Sequence, residues 1–215
     1  IPISNFAEGK YLLMATKHGI IKKTALGEYH SARKTGLLAI TLKENDELID
    51  VRLTDGEDNI VMVTSKGMSI TFDEKDVRPM GRTAQGVIGI RLDEEDYVIG
   101  MESIIIGGNE STLLAITENG FGKRTELSEY RVQNRGGRGV ITYKITPKTG
   151  NIVGIRVTNS NEDVMIITDK GTIIRLKVEE VSVLGRATQG VTLIRTNDGD
   201  KVVSIETVER EDNIE

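Results

Sequence analysis

The chain has no cysteine, no tryptophan, 3 prolines in 215 residues and only 4% aromatic side chains. Without cysteine there is no disulfide framework and no thiolate metal site, a pattern that suits a reducing cytosol. So little proline argues against a Pro-rich disordered chain. No apolar run approaches the roughly 18 residues that a membrane-spanning helix needs. The opening residues lack a charged stretch followed by an apolar one, so they are not a signal peptide. Beginning at Ile1 rather than Met, the chain reads as an excised fragment. With aromatics scarce, the core has to be built from Val, Ile and Leu, which favour pleated, half-buried surfaces.

What the chain does have is a fourfold repeat. The units open at Leu12, Ile60, Leu113 and Val164, a period of 48 to 53 residues, in the range of propeller blades and stacked arrays. Each opens with a short apolar strand ending in Thr (Thr16, Thr64, Thr117, Thr168). Two residues and then a glycine follow: Gly19, Gly67, Gly120, Gly171. A second glycine follows 17 to 19 residues on: Gly36, Gly86, Gly139, Gly190. A three-residue hairpin loop commonly needs its last residue in the left-handed region, where glycine carries no Cβ penalty. That accounts for glycine at the third turn position in all four copies while the first two positions vary.

In the last copy, strand one is Val164 to Thr168 and strand two Thr172 to Lys177. A long loop follows, then strand three from Val191 to Thr196 and strand four from Lys201 to Ile205. The other copies match, with Val87 to Leu92 and Val140 to Ile145 as strand three. Four short strands in each of four units predict an all-β, propeller-like array of four-stranded blades. One unit cannot bury both of its faces, so neighbours must stack. The expected layout is one domain over 11–208 with blades at about 11–54, 55–104, 110–158 and 161–208. Residues 1–10 read as a linker or the remnant strand of a preceding blade, and 209–215 as an acidic tail.

The net charge of −5 hides a pattern. Acids collect at one turn of each unit, as in Glu44-Asn45-Asp46-Glu47 and Asp93-Glu94-Glu95-Asp96. Bases collect on strand two (Lys22, Lys23, Lys123, Arg124, Arg175, Lys177) and in the loop before the second glycine (Arg33, Lys34, Arg78, Arg82, Arg131, Arg135, Arg138, Arg186). A polyanion responds to local potential rather than to the total. Equivalent positions of stacked units lie in a row, so these bases are expected to form one basic edge with the acids offset from it.

Within that row stands Gln133-Asn134-Arg135-Gly136-Gly137-Arg138-Gly139. Arginines between glycines let backbone N–H groups approach phosphates while guanidinium forks pair with their oxygens. Here the sequence resembles the C-terminal domain of the A chain of bacterial DNA gyrase, whose box is Gln, two Arg, two Gly, a basic residue and Gly; Asn134 replaces the first arginine. The resemblance runs through all four units. It includes Gly19 to Thr24 (GIIKKT), Gly56 to Asp58 (GED), Gly86 to Leu92 (GVIGIRL), Asn119 to Thr125 (NGFGKRT) and Gly185 to Val191 (GRATQGV). It implies a β-pinwheel that binds and wraps duplex DNA on its basic outer edge. The family's box lies on its first blade, so the four units are expected to match the last four blades of a commonly six-bladed domain. The implied partners are duplex DNA, the rest of the gyrase A homodimer and the ATP-hydrolysing gyrase B, in the cytoplasm and with no membrane. ATP and Mg belong by resemblance to other parts of the enzyme, and no cofactor is expected on this chain.

No catalytic constellation stands out. His18 and His30 lie in a turn and a polar loop without cysteine or repeated carboxylates, so no metal site is expected on them. By resemblance the DNA-cleaving tyrosine lies in other domains; Tyr29 and Tyr130, at equivalent positions, read as packing residues, and the chain by itself is not expected to be an enzyme. Two further readings stay open: the equivalent domain of topoisomerase IV, which has the same blades, and a propeller scaffold for an acidic protein. Three Phe and no Trp argue against the scaffold, because protein hot spots concentrate aromatic anchors.

Overall fold

The computed structural model describes residues 9–30, 36–104, 111–196 and 199–210. Arg33, Lys34, residues 1–8 and residues 211–215 lie outside them. The strands are β1 (Tyr11–Thr16), β2 (Ile20–Ala25), β3 (Leu48–Thr54), β4 (Asn59–Thr64), β5 (Met68–Asp73), β6 (Val87–Ile88), β7 (Val98–Ile104), β8 (Thr112–Thr117), β9 (Phe121–Glu126), β10 (Val140–Ile141), β11 (Ile152–Thr158), β12 (Glu162–Thr168), β13 (Ile173–Lys177), β14 (Val191–Thr192) and β15 (Val202–Glu209). Helical structure among the described residues is limited to four short 3-10 turns, one after each second strand of a repeat. The chain is all-β, as its composition and period predict.

Each repeat begins with an antiparallel hairpin: β1–β2, β4–β5, β8–β9 and β12–β13. The turn glycines have φ of 79°, 86°, 79° and 81° at Gly19, Gly67, Gly120 and Gly171, the left-handed conformation anticipated for them. On its other side the opening strand pairs antiparallel with the repeat's last strand, in registers such as Met14↔Val51, Met62↔Met101, Ala115↔Ile155 and Ile166↔Ile205. The opening strand is therefore central and carries apolar residues on both faces: all six residues of β8 are buried.

The third strand of each repeat departs from the expectation. The sheet orders are β3-β1-β2-β6, β10-β5-β4-β7, β11-β8-β9-β14 and β13-β12-β15. The short strands β6, β10 and β14 do not complete the repeats that encode them; each lies on the second strand of the preceding repeat. Only their first two residues pair, as in Ile20↔Ile88 and Ile21↔Val87, so the six-residue third strands read from Val87, Val140 and Val191 shrink to two. The cause is geometric. The residue after the pair, such as Gly89, packs against Ile21 and Met62, and the chain turns inward to bury Ile90. Three sheets have four strands, and the fourth has three among the described residues.

The described residues divide into two compact units. One comprises the chain up to Thr64, Ser69 to the end of β7, and Arg131–Val140; the other comprises Ser65–Met68, β8 to Tyr130, and Ile141 onward. The first is built on a core of Leu13, Ile21, Ile60, Met62, Ile70, Phe72, Val77, Ile90, Val98 and Met101. The second is built on Leu114, Ile116, Val164, Ile166, Val178, Val181, Ile194, Val202 and Ile205. Both cores join residues of consecutive repeats, so hydrophobic burial links the repeats within each unit.

Candidate nucleic-acid interface

The basic loops are held by a joint that recurs three times. The turn-glycine carbonyl accepts two backbone N–H groups from the next repeat. Gly19 O takes those of Gly89 (2.8 Å) and Ile90 (3.2 Å), Gly67 O those of Thr142 (2.8 Å) and Tyr143 (3.2 Å), and Gly120 O those of Leu193 (2.9 Å) and Ile194 (3.2 Å). Four residues after each turn glycine, a second carbonyl accepts from the incoming loop: Lys23 O from Met80 N (2.8 Å), Thr71 O from Gln133 N (2.7 Å), Arg124 O from Leu184 N (2.8 Å). Each basic loop is thus pinned at both ends to the blade before it.

This joint consumes four of the cations expected to face phosphate. Lys22 and Lys123 are 0% and 1% exposed, and Lys23 and Arg124 are also buried. Lys22 Nζ donates to Ala39 O (2.6 Å) and Arg82 O (2.5 Å). Lys123 Nζ donates to Gly185 O (2.6 Å), Arg186 O (2.5 Å) and Thr188 Oγ1 (3.1 Å), and lies 5.1 Å from the Tyr143 ring centre. Arg124 bonds Val181 O and Glu179 O. Lys23 pairs at 3.2 Å with Glu74, a fully buried carboxylate that also accepts from Thr54 Oγ1 and Gly56 N. These residues organise the loops rather than touch a ligand: a buried charge needs its partners, and here the partners are loop carbonyls and one carboxylate. Burial lowers the Lys123 ammonium to about 8, with Arg186 adding to the effect and Glu129 opposing it. Lys22 is lowered for the same reason, with Arg82 contributing.

The loop arginines remain outside. Arg78, Arg131 and Arg138 are exposed, while Arg82, Arg135 and Arg186 are half-buried. These last three stand four residues before the second glycine, and two of them reach back along the array. Arg135 donates Nε to Asp76 O (2.8 Å) and Nη1 to Ile88 O (3.0 Å), and Arg186 donates Nη1 to Ile141 O (3.0 Å). A guanidinium has five N–H donors, so Arg135 keeps about three for a ligand. A groove of about 610 Å³ lined by Lys75, Asp76, Arg78, Met80, Val87 and Arg135 opens beside it. Arg175 and Lys177 are exposed but already paired, with Asp163 (2.7 Å) and Glu179 (3.8 Å).

The Gln133–Gly139 run is first of all a joint. Gln133 N and Gly136 N donate to Thr71 O and Gly89 O, and Gly137 O accepts from Arg91 N. A Cβ on Gly139 would collide with Ser69 O. The N–H of Gly136 is therefore spent within the fold, which corrects the expectation that the glycines free it for phosphate. Arg138 lies 3.5 Å from Asp93, so at this point the acids are not offset from the basic row. Sequence reasoning also passed over Arg91, Lys144 and Arg195, all exposed and all five residues after a second glycine; the repeat alignment itself was the available signal. Tyr130 packs as expected, buried with its hydroxyl 2.7 Å from Thr142 Oγ1. No group of metal-ligating side chains occurs among the described residues, and none of their helices is long and apolar enough to cross a membrane.

The family model for the DNA gyrase C-terminal domain, beta-propeller, matches residues 10–55, 58–105, 111–159 and 162–209. The DNA gyrase A protein of Staphylococcus epidermidis is 46% identical over 207 residues, covering 96% of the chain and 23% of that protein. The chain thus spans about a quarter of the length of this curated relative. Among solved structures, the C-terminal domain of DNA topoisomerase IV aligns with TM-score 0.91 at 31% identity, covering 99% of this chain and 66% of that one. The DNA gyrase A C-terminal domain aligns with TM-score 0.85 at 25% identity, covering 95% and 68%.

Proposed function

The chain belongs to the family of DNA gyrase C-terminal β-propeller domains, and from that premise we propose that it binds and wraps duplex DNA as part of a gyrase A protein. The observation that carries this reading is the recurrence of arginine at one loop position, as Arg82, Arg135 and Arg186, each loop anchored to the blade before it. A loop fixed in this way presents its guanidinium without a large ordering cost. Bending 20–30 bp by 40–90° costs of order 1–6 kcal/mol, so wrapping requires several spaced phosphate contacts. Arg78, Arg82, Arg131 and Arg135 in one unit and Arg186 in the other are candidates for such contacts, and Arg91, Lys144 and Arg195 join them by repeat position. With few aromatic groups to stack on bases, recognition rests on the backbone and is insensitive to sequence.

In this reading the chain is non-catalytic and carries no cofactor. Strand cleavage, ATP and Mg belong to the rest of the gyrase A homodimer and to gyrase B, in the bacterial cytoplasm. Gyrase is preferred to topoisomerase IV because of the 46% identity to a gyrase A protein. The test is a mobility shift on duplex DNA across a salt series. Each phosphate neutralised adds about −0.9 to the slope of log K against log salt, so a steep slope with little sequence preference is expected. A slope near zero, or a hundredfold preference for one sequence, would overturn the reading.

A further inference from the structure

The repeats are of two kinds, and the kinds alternate along the chain. Three residues after the turn glycine stand Lys22, Ile70, Lys123 and Ile174; ten residues after it stand Tyr29, Val77, Tyr130 and Val181. The last strands alternate in the same way, with Arg52, Glu102, Arg156 and Glu206 at one shared position. Arg52 pairs with Glu102 and Arg156 with Glu206, each at 2.7 Å. At the joints the alternation falls on the arginine loops.

In the first and third joints a lysine closes on the loop arginine's own peptide. Lys22 Nζ donates to Arg82 O and Lys123 Nζ to Arg186 O, both at 2.5 Å. The Arg186 peptide is held from its other side too, with its N–H donating to Glu129 Oε2 (3.0 Å). An ammonium has three N–H donors and no acceptor. Around Lys123 the fold supplies three acceptors, Gly185 O (2.6 Å), Arg186 O and Thr188 Oγ1 (3.1 Å), and the Thr188 hydroxyl proton is itself spent on Gly185 O. The second joint has the fully buried Ile70 in place of a lysine. There Arg135 carries two anchors on its own guanidinium, to Asp76 O and Ile88 O.

We infer that Lys22 and Lys123 are positioning residues for DNA binding: each fixes, through a main-chain carbonyl, where the Arg82 or Arg186 guanidinium meets a phosphate, whereas Arg135 is fixed by its own side chain. The inference rests on the DNA-binding reading above. Lysines 0% and 1% exposed do not touch a ligand, so their effect on binding passes through the arginines. Fixing the loop beforehand removes an ordering cost that would otherwise be subtracted from the contact. The clamp also couples the contact to a proton. Burial holds the Lys123 ammonium at about 8, with Glu129 opposing the shift and Arg186 adding to it. Tyr143 beneath it and the neighbouring Tyr130 are both raised by burial and stay neutral there. Above pH 8 the amine gives up one donor, and two N–H groups then face three acceptors.

The experiment is the slope of log K against log salt for duplex DNA. At pH 7, Lys123→Met should flatten it by about 0.9, as Arg186→Ala does. The two changes together should flatten it no more than either one, whereas Lys123→Met with Arg135→Ala should lose both shares. Lys22→Met should couple to Arg82→Ala in the same way. The wild-type chain supplies a readout that needs no altered core: raising the pH from 7 to 9.5 should flatten its slope. That flattening should persist in Arg135→Ala and shrink in Arg186→Ala. Lysine variants with wild-type slopes, a Lys123→Met loss that adds in full to that of Arg186→Ala, or a pH response untouched by Arg186→Ala would overturn the inference. Should Arg82→Ala, Arg135→Ala and Arg186→Ala all keep the wild-type slope, the DNA-binding reading itself would fall, a result distinct from failure of the clamp alone.

Discussion

The third and fourth repeats carry the same hairpin, yet β9 is buried through its centre while β13 is exposed at alternate residues. Arg124 and Arg175 each stand four residues after the turn glycine. Arg124 is buried and bonded to two carbonyls of the next repeat, whereas Arg175 is exposed and paired with Asp163. The difference lies in what is packed outside: β14 and its loop cover β9, and no described strand covers β13. Whether a cation faces solvent or holds a loop is therefore set by the neighbouring repeat rather than by the residue.

The largest expected effect breaks a covered edge. Glu74→Ala leaves the Lys23 ammonium buried without a carboxylate and should lower stability by about 3–5 kcal/mol in urea denaturation. The comparison change at the open edge, Arg175→Ala, should cost less than about 1 kcal/mol. Similar losses at the two sites would mean that β13 is covered in solution.

Next come the glycines. Gly120→Ala and Gly171→Ala both force a left-handed alanine, at roughly 1–2 kcal/mol. Only the first also drives a Cβ into a backbone carbonyl of the following repeat, which should add about 1–3 kcal/mol. Equal losses in thermal denaturation would contradict the covered-edge geometry.

A smaller effect is expected in DNA binding. Arg131→Ala should flatten the salt slope by about 0.9 while the melting temperature changes little, and Arg135→Ala should flatten it equally with some added loss of stability from its two carbonyl bonds. Arg124→Met should do the reverse, destabilising the fold while leaving the slope unchanged. A flattened slope in Arg124→Met would return that residue to the phosphate-contacting set.

A further expectation concerns pH dependence. Lys123 is held at about 8 in the folded chain against an ordinary 10.5, so in this window the unfolded chain binds more protons. Stability should therefore rise with pH from about 8 toward 10, with the burial penalty in full below pH 8. Lys123→Met should remove that slope, and a Cε resonance titrating near 10.5 would refute the assignment.

Much of this was legible beforehand. The four turn glycines, the hairpins and the opening strands follow from period, turn chemistry and β-branched content, all of them local. The third strands were not, because Val87-Ile88 and its counterparts pair across the repeat boundary. Their apolar pattern is the same whichever edge they join. Lys22 and Lys123 look like exposed strand cations because nothing in a lysine's own neighbourhood reveals the carbonyls that will surround it. The Gln133–Gly139 run looks like a phosphate cradle for a similar reason: an N–H counts as available until the fold supplies Thr71 O and Gly89 O.

By itself, then, the sequence determined an all-β repeat with a left-handed glycine in every hairpin and a basic loop before each second glycine, since those depend on backbone sterics and local charge. Only the tertiary structure decided which edge each short strand covers, which cations are buried under it and which arginines are left to face a ligand. Those outcomes depend on hydrogen bonds and burial between residues some 45 to 65 positions apart, as between Lys22 and Arg82 or Lys123 and Arg186.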